Sequence, residues 1–475
     1  MNHKESDFKR FFKGKKITVM GLGLLGRGLG DVQFLADCGA ELTVTDLKSR
    51  LELEPTLREL KKFKNIKYVL GEHHLEDFCD KDMILKAAGV PLDSPFIAEA
   101  RKQGIPVEMD ESLFAKLAPL VTPPGVTIVG VTGTRGKTTV ATLVYEIFEQ
   151  AKKKSQQIFL AGNIKGVATL PLLAKIRAGD IVILELSSWQ LQGFGESKIS
   201  PHIAVFTNFL DDHLNYYRGD RKAYFKDKSY IYENQKKDDF FIVSSDVLKY
   251  IRASKQNFLP KGKIIVVKKL PKSFKLNLPG EHNRNNASFA LEVARILKIK
   301  ETVAKEAILN FKGVPYRQEL VKKVRGIEIY NDTTSTTPDA IVVALEALGQ
   351  NGRRAKNIIL IMGGADKGLD MSEAVKKIKK YCKAVVLIPG TGTNRFKKDL
   401  RNIKEKSLGV TETQTLEVAI KHALALAEAG DRIVFSPGFA SFGMFKNEFD
   451  RGEKFNKVLM ESVKALPKIF RKTAR

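Results

Sequence analysis

The strongest indication of the fold in this 475-residue chain is the sequence Gly130-Val-Thr-Gly-Thr-Arg-Gly136-Lys137-Thr138. It fits the pattern G-x-x-x-x-G-K-[ST], after an apolar run at 126–131 that predicts a strand and before a run at 140–150 that predicts a helix. The glycines let backbone N–H groups face phosphates, and the helix amino terminus adds a positive dipole. Lys137 would neutralise the β- and γ-phosphates, and the Thr138 hydroxyl would bind Mg²⁺. The stretch predicts an α/β domain that binds a nucleoside triphosphate.

A second glycine-rich loop, Gly21-Leu-Gly23-Leu-Leu-Gly26, fits G-x-G-x-x-G and follows an apolar run at 17–20. Asp46 closes the next predicted strand, where a dinucleotide site has its ribose-binding acid. Taken alone, this motif indicates an NAD-dependent oxidoreductase. Its physical requirement, however, is only a diphosphate at a helix amino terminus, and a UDP-sugar also carries a diphosphate. Both interpretations stay open at this point.

The length and the order of elements indicate several α/β domains. A chain of 475 residues is too long for one compact core and suggests roughly three domains. Short apolar runs alternate with helical stretches, and Pro- and Gly-rich breaks occur at 120–125 and 313–317. The expected domains are therefore residues 1–122, 123–312 and 313–475.

Charge and cysteine content bound the environment and the partners. No apolar run approaches the roughly 18 residues of a membrane span, and the charged amino terminus does not resemble a secretory signal. Three cysteines, far apart, have neither disulfide-framework nor zinc-site spacing, so we expect a cytoplasmic protein. The net charge of +26 comes from scattered lysines, which predicts a basic solvated surface that attracts polyanionic substrates. We expect a monomer without a nucleic-acid partner, since no nucleic-acid motif occurs.

Further motifs, in order along nearly the whole chain, resemble those of the Mur ligase family. The segment 132–139 resembles the family's phosphate loop, with Arg135 where asparagine is usual. The other matching motifs are Glu185-Leu-Ser-Ser-Trp-Gln-Leu191, the run 207–213 followed by Lys228 and Tyr232-Glu-Asn234, Gly280-Glu-His-Asn283-Arg-Asn-Asn286, Ser436-Pro-Gly-Phe-Ala-Ser441 and Phe445-Lys-Asn447.

The resemblance implies an α/β fold of three domains and an ATP-dependent, amide-forming reaction. The domains would be a Rossmann-like UDP-substrate domain, a central P-loop ATPase domain and a Rossmann-like carboxy-terminal domain that binds the amino acid. The reaction would add D-glutamate to UDP-N-acetylmuramoyl-L-alanine through an acyl phosphate, in peptidoglycan precursor synthesis and hence in cell shape and division. A related ligase for another amino acid, or a folylpolyglutamate-type ligase, is the alternative within this class.

The resemblance also implies the site residues. Those for ATP are Gly133, Thr134, Arg135, Gly136, Lys137, Thr138 and Thr139, with Asn286, Arg317 and Asp332 for adenine and ribose. Those for the UDP substrate are Leu24, Leu25, Asp46, Lys48, Gly89 and Asn163, and those for D-glutamate are Thr336, Lys367 and Ser441. One or two Mg²⁺ ions would be held by Thr138, Glu185, His213 and a carbamylated Lys228. The catalytic residues would be Lys137, His213 and Lys228.

Besides Arg135, four positions depart from the family pattern. Thr334 replaces a lysine, Glu448 replaces an aromatic residue, and Ala87-Ala88 replaces the Ser-Pro that precedes the glycine equivalent to Gly89. The first two changes make the amino-acid pocket less cationic, which is why another amino acid stays open as a substrate.

Overall fold

The computed structural model describes residues 7–24, 26–123, 125–212, 216–254, 259–349, 356–401 and 408–465. The chain forms two compact units: unit 1 comprises Met1–Lys275 and Asn285–Leu309, and unit 2 comprises Leu276–Arg284 and Asn310–Arg475. The described residues form three sheets, one in each predicted segment. Most of the first two segments lies in unit 1, and the predicted domain boundaries stay a prediction.

The first sheet, in unit 1, has five parallel strands in the order β3-β2-β1-β4-β5. The strands are β1 (Lys16–Met20), β2 (Glu41–Asp46), β3 (Ile66–Leu70), β4 (Met83–Lys86) and β5 (Val107–Glu108). The helices are α1 (Asp7–Phe12), α2 (Arg27–Asp37), α3 (Arg50–Leu60), α4 (Pro95–Lys102) and α5 (Asp110–Val121), with a 3-10 helix at Leu75–Phe78. The strand order reverses between β1 and β4, which opens a crevice at their carboxyl ends, where ligands bind in such sheets.

The break predicted at 120–125 starts later than expected. Helix α5 continues through Pro119 to Val121, because its apolar face, including Leu117, is buried. Thr122 then ends the helix, and its hydroxyl donates to the Ala118 carbonyl at 2.8 Å. The second predicted break is confirmed, since residues 311–318 lie in neither a helix nor a strand.

The second sheet, also in unit 1, has six parallel strands in the order β11-β10-β9-β6-β8-β7. The strands are β6 (Thr127–Thr132), β7 (Ile158–Gly162), β8 (Ile181–Glu185), β9 (Ile203–Phe206), β10 (Phe240–Val243) and β11 (Lys263–Val266). The helices are α6 (Lys137–Ala151), α7 (Ser188–Glu196), α8 (Arg221–Glu233), α9 (Ser245–Ala253), α10 (Glu281–Ile296) and α11 (Glu301–Asn310), with a 3-10 helix at Leu170–Ala174.

A common apolar core joins the first two sheets. Leu113 and Phe114 of α5 belong to the same buried cluster as Leu191 and Phe194 of α7. The approach of α5 to α7 leaves no room for a side chain at Gly193, whose added Cβ would lie 2.6 Å from Ser112 Oγ. The two glycine-rich loops therefore belong to one packed body.

The third sheet, in unit 2, has the order β12-β13-β17-β14-β15-β16 and is parallel except for the β12–β13 hairpin. The strands are β12 (Glu319–Val324), β13 (Ile327–Asn331), β14 (Ile358–Met362), β15 (Cys382–Leu387), β16 (Gly409–Glu412) and β17 (Arg432–Phe435). The helices are α12 (Pro338–Gly349), α13 (Ser372–Tyr381), α14 (Thr391–Arg401), α15 (Leu416–Leu426) and α16 (Glu448–Ala465). Apolar clusters cover both faces of the sheet. No helix in the described ranges is both long and apolar enough to cross a membrane.

Candidate active site

The phosphate loop joins β6 to α6. Gly133 and Gly136 have φ angles of 145° and 82°, a region that other L-residues rarely adopt. A side chain at Gly133 would also collide with Thr207, and one at Gly136 with Asn286. Helix α6 begins at Lys137, so its positive amino-terminal end faces the loop. Asn286, the predicted adenine contact, therefore lies against the phosphate loop.

The predicted phosphate-binding side chains lie at the end of this loop. Lys137 Nζ donates to the carbonyl oxygens of Gly133, at 3.1 Å, and Thr134, at 3.0 Å. Thr138 and Thr139 follow in the first turn of α6 and are half-buried. An ammonium group bonded to loop carbonyls can exchange them for phosphate oxygens, which bind it more strongly because they are charged.

Glu185 lies one strand away from the loop and fits the role of a Mg²⁺ ligand. It ends β8, which pairs with β6 so that Glu185 is opposite Val131. Its side chain is buried, and Oε1 accepts a hydrogen bond from Asn163 Nδ2 at 3.2 Å. Oε2 is also buried and has no hydrogen-bond partner. Burying a carboxylate oxygen without a partner is costly, and a bound cation would remove that cost.

The described ranges contain no group of three or more His, Cys, Asp or Glu residues that could hold a metal ion by themselves. Mg²⁺ is commonly held by one or two carboxylates together with phosphates and waters. Glu185 and the Thr138 hydroxyl are therefore a suitable set of protein ligands. Two predicted site residues, His213 and Leu25, lie outside the described residues.

Lys228 reaches the phosphate loop from α8. The side chain is buried, and its Nζ donates to the Gly133 carbonyl at 2.9 Å. Burial, followed by the charge of Lys137, lowers the pKa of Lys228 well below its usual range, while Asp212 and Asp227 act in the opposite direction. The neutral amine is the form of lysine that reacts with CO₂, and a lowered pKa increases the fraction of that form.

Asp227, beside Lys228 on α8, is a site feature that the sequence did not reveal. Its Oδ2 accepts hydrogen bonds from Gln192 Nε2 and from the Tyr217 hydroxyl, both at 2.8 Å. Burial raises the pKa of Asp227. In the sequence, Asp227 stands between Lys226 and Lys228 and reads as part of a solvated helix face, so only the packing of α8 against α7 identifies it.

Four of the six predicted UDP-substrate residues lie at the carboxyl ends of β1, β2 and β4, namely Leu24, Asp46, Lys48 and Gly89. The Asp46 carboxylate accepts from the backbone N–H groups of Gly23 and Lys48, each at 2.9 Å, and so ties the glycine loop to the turn after β2. Leu24 is exposed beside this junction. Gly89 follows β4 with open space where a side chain would project.

The same loop contacts the segment that carries Asn163. A Cβ added to Gly26 would lie 3.4 Å from Gly166 Cα, and one added to Gly30 would lie 2.6 Å from Ala168 Cβ. The backbone N–H of Asn163 donates to the Glu185 carbonyl at 2.8 Å. The structure thus brings the first glycine-rich loop, Asn163 and the candidate metal ligand together within unit 1.

In unit 2 the predicted residues other than Arg317, which precedes β12, lie on three loops that follow β13, β14 and β17. These strands are neighbours in the sheet, so their carboxyl ends share one edge. The N–H of Gly438 donates to the Ser335 carbonyl at 2.8 Å, and Ala365 and Ala440 exchange backbone hydrogen bonds at 2.9 and 3.1 Å. Backbone contacts thus fasten the three loops to one another.

Asp332 is the buried acid of this edge. Its carboxylate accepts from Ser436 Oγ at 2.8 Å and from the Gln318 N–H at 3.1 Å. Burial raises the pKa of Asp332 to about 7, although Ser436, Gln318 and the charge of Arg317 act in the opposite direction. Arg317 is exposed and near enough to exert this electrostatic effect.

The three residues predicted for the amino acid lie on these loops. Lys367 Nζ donates to Thr336 Oγ1 at 3.1 Å, so two of them are in contact. Ser441 is buried, and its carbonyl accepts from the Phe445 N–H at 3.3 Å. An exposed lysine with neighbouring hydroxyl groups provides donors suited to a carboxylate.

Arg451 of α16 is a further feature that sequence reasoning missed. Its guanidinium is fully buried and donates to Thr333 Oγ1, to the Thr333 carbonyl and to the Phe439 carbonyl, at 3.0, 2.8 and 3.1 Å. Burial lowers the pKa of Arg451 to about 10. The side chain therefore links the loop after β13 to the loop after β17.

Two of the residues that depart from the family pattern, Thr334 and Glu448, have structural contacts in the same region. Thr334 donates its hydroxyl to the Tyr316 carbonyl at 3.0 Å, and the Glu448 carbonyl accepts from Thr333 Oγ1 at 3.0 Å. The Thr334 hydroxyl therefore helps to hold the loop after β13, whereas the Glu448 contact is made by the backbone and does not depend on its side chain.

Comparison with known proteins gives matches along most of the chain. Residues 15–109 match the family described as Mur ligase MurD-like, N-terminal domain, residues 131–264 match Mur ligase middle domain, and residues 316–439 match Mur ligase, glutamate ligase domain. The chain is 33% identical to the UDP-N-acetylmuramoylalanine–D-glutamate ligase of Roseiflexus sp. (strain RS-1), covering 94% of this chain and 98% of that protein. It is 35% identical to the protein of the same name from Borreliella afzelii (strain PKo), with the same two coverages.

Two solved structures have the same fold at low sequence identity. The UDP-N-acetylmuramate-alanine ligase MurC of Thermotoga maritima aligns with a TM-score of 0.59 and 17% identity, covering 94% of this chain and all of that chain (100%). The MurF ligase of Thermotoga maritima in complex with ADP also gives 0.59 and 17%, covering 96% of each chain.

Proposed function

The chain belongs to the Mur ligase family of ATP-dependent, amide-forming enzymes, and we propose that it adds D-glutamate to UDP-N-acetylmuramoyl-L-alanine in peptidoglycan precursor synthesis. The relatives cited above, similar over nearly their whole length, carry the name of this reaction. The observation that carries the proposal is the buried Lys228, bonded to the Gly133 carbonyl of the phosphate loop. The first glycine-rich loop then binds the diphosphate of a UDP-sugar, and the oxidoreductase alternative has no support from these relatives.

The first chemical step requires that phosphates be placed and their charge neutralised. The bond between the terminal phosphorus of ATP and the ADP oxygen breaks, and a bond from that phosphorus to the alanyl carboxylate forms, which gives an acyl phosphate and ADP. Because both reactants are anions, positioning and electrostatic stabilisation supply most of the rate. Lys137 supplies a point charge, the loop N–H groups supply dipoles, and Asn286 supports the loop at the adenine side.

One or two Mg²⁺ ions would neutralise phosphate charge and polarise the phosphoryl oxygens. The unpartnered Oε2 of Glu185 and the Thr138 hydroxyl are the groups proposed to hold the first ion. His213 and Lys228 are proposed for the second. These assignments rest on the residue chemistry and on the resemblance.

We propose that Lys228 acts as a carbamate. The ammonium first loses a proton, and the neutral amine then adds to CO₂, so that a nitrogen–carbon bond forms and a second proton is released. A carboxylate thereby replaces a cation. An ammonium cannot ligate a cation, whereas this carboxylate can. The burial that lowers the pKa of Lys228 favours the neutral amine that this modification requires.

The second step uses the loops of unit 2. The neutral D-glutamate amine attacks the acyl carbon, the bond from that carbon to the phosphate oxygen breaks, and an amide bond forms while phosphate and one proton are released. Thr336, Lys367 and Ser441 are proposed to bind the carboxylates of D-glutamate, and Asp332 and Arg317 to bind ATP. Asp332 and the three residues proposed for D-glutamate lie on loops at the shared edge of β13, β14 and β17. We propose that the enzyme is cytoplasmic and monomeric. Its proposed domains are residues 1–122, 123–312 and 313–475.

The decisive experiment measures phosphate release from ATP with UDP-N-acetylmuramoyl-L-alanine and matched amino acids. D-glutamate should give the highest kcat/KM, ahead of L-glutamate, D-aspartate and D-alanine. A higher value with any of the last three would contradict the substrate while leaving the ligase reaction intact. No phosphate release with any amino acid would contradict the reaction itself. A mixture with NADH should show no binding by fluorescence.

A further inference from the structure

Arg135 is the residue of the phosphate loop that departs from the family pattern; the resemblance places its position among the ATP-binding residues but assigns no separate task to an arginine side chain there. Its backbone is hydrogen-bonded to the loop that follows the neighbouring strand β9. The N–H donates to Asn208 Oδ1 at 2.9 Å, and the carbonyl accepts from Thr207 Oγ1 at 2.7 Å and from Asn208 Nδ2 at 3.1 Å. These three hydrogen bonds restrain the backbone at Arg135.

The guanidinium lies among the charges that surround the phosphate loop. Nη1 forms an ion pair with Asp212 Oδ2 at 3.2 Å, and the side chains of Arg135 and Asp212 keep 34% and 19% of their surface exposed. Its charge also contributes to the lowered pKa of Lys228, whose Nζ is bonded to Gly133 in the same loop. The guanidinium is thus within electrostatic reach of the loop that would hold the phosphates.

The pair with Asp212 can be exchanged. A partly exposed ion pair contributes little to stability, because water screens it and both side chains lose freedom in forming it. A triphosphate carries more negative charge than one carboxylate, and a guanidinium binds two phosphate oxygens through parallel N–H donors. When such an arginine is supplied from the same chain to a transferred phosphoryl group, it stabilises the charge that spreads over that group.

We propose that Arg135 exchanges Asp212 for the terminal phosphoryl group when ATP binds, and stays bonded to it during transfer to the acceptor carboxylate. This inference rests on the proposed ATP-dependent ligase reaction and adds to it a residue that distinguishes ATP from ADP. The arginine remains a cation throughout and neither gives nor takes a proton. Asp212 holds it beside the loop while no triphosphate is present.

The test compares binding of ADP and of the non-hydrolysable analogue AMP-PNP, each with Mg²⁺, by calorimetry. Arg135→Asn restores the usual residue of the family and removes the charge. Binding of AMP-PNP should weaken about tenfold or more, since a charge-assisted pair is lost. Binding of ADP should change by less than about twofold, since the lost contact is to the terminal phosphoryl group, and kcat should fall on the order of 100-fold. Arg135→Lys keeps the charge without the paired donors, so its affinity for AMP-PNP should lie between those of the unsubstituted protein and Arg135→Asn.

Asp212→Asn is the matched control, because it breaks the same ion pair and leaves the arginine in place. It should preserve or increase the preference for AMP-PNP over ADP. If Arg135 merely fastens the loop to residues 208–212, both substitutions will weaken both nucleotides alike, and the proposal is overturned. An unchanged AMP-PNP to ADP ratio in Arg135→Asn also overturns it. Should that variant fail to fold, Arg135→Lys decides on the same ratio.

These outcomes are separate from the proposed substrate. If the unsubstituted enzyme turns over no D-glutamate while the ratio changes as expected, the substrate is wrong and the role of Arg135 stands. If the enzyme turns over D-glutamate and the ratio does not change, the substrate is correct and the proposed role of Arg135 is wrong.

Discussion

Asp332→Asn should change how the stability of the protein depends on pH. The carboxyl group is buried, and its pKa rises from 3.8 to about 7 because burial disfavours the charged form. A folded-state pKa above the unfolded value means that the folded chain holds the proton more tightly. The resulting stabilisation is fully present below pH 3.8 and is lost as the pH rises through about 7. Asparagine has the same shape and cannot ionise.

The size of the effect follows from the two pKa values. With about 7 folded and 3.8 unfolded, the carboxyl group stabilises the fold by about 2.5 kcal/mol more at about pH 5 than at about pH 8. Between about pH 5 and about pH 8, the free energy of unfolding of Asp332→Asn should therefore rise by about 2.5 kcal/mol relative to that of the unsubstituted protein. Ser436→Ala removes a donor to the ionised form, and so it should move the inflection to higher pH.

Urea unfolding followed by circular dichroism at a series of pH values measures this difference. Asp370→Asn is the control in the same unit, because Asp370 is exposed and hydrogen bonds from Ser372 lower its pKa. Both folded and unfolded chains ionise Asp370 throughout the range, so its variant should show no slope relative to the unsubstituted protein. If Asp332→Asn and Asp370→Asn give the same flat difference, Asp332 is already ionised at low pH and burial does not control it.

Three further substitutions test the catalytic and structural assignments. Lys137→Ala should reduce phosphate release by on the order of 100-fold or more, because the phosphates lose their point cation, and near-normal turnover in a folded variant would rule out this loop as the catalytic ATP site. Lys228→Ala should lose most activity and regain part of it with formate or acetate, which replace the carbamate. Lys222→Ala changes a lysine on the exposed face of the same helix and should stay active. Equal losses of activity in the two variants would exclude the carbamate. Arg451→Met should destabilise the protein by about 3 kcal/mol in urea unfolding, because buried carbonyls lose their donor; a change below about 1 kcal/mol would mean that water replaces the guanidinium.

The sequence alone determined the phosphate loop, the main strands and the order of the motifs. These features depend on local chemistry: a turn with positive φ at Gly133 and Gly136 requires glycine, and a strand covered on both faces appears as an uninterrupted apolar run, as in Ile358–Met362. The hairpin of β12 was not predicted, because a half-exposed strand with Lys322 and Lys323 in it lacks that signal.

Tertiary structure decided which polar residues are buried and what they contact. Asp227 and Arg451 look like members of solvated helix faces in the sequence, and Asp46 looks like a ribose ligand, although both of its oxygens accept backbone N–H groups. The contact between Lys367 and Thr336 likewise joins residues from two different loops. A charged side chain has the same local pattern whether it faces water or a carbonyl from a distant segment, so its partner and its pKa are set only when the sheets and helices pack.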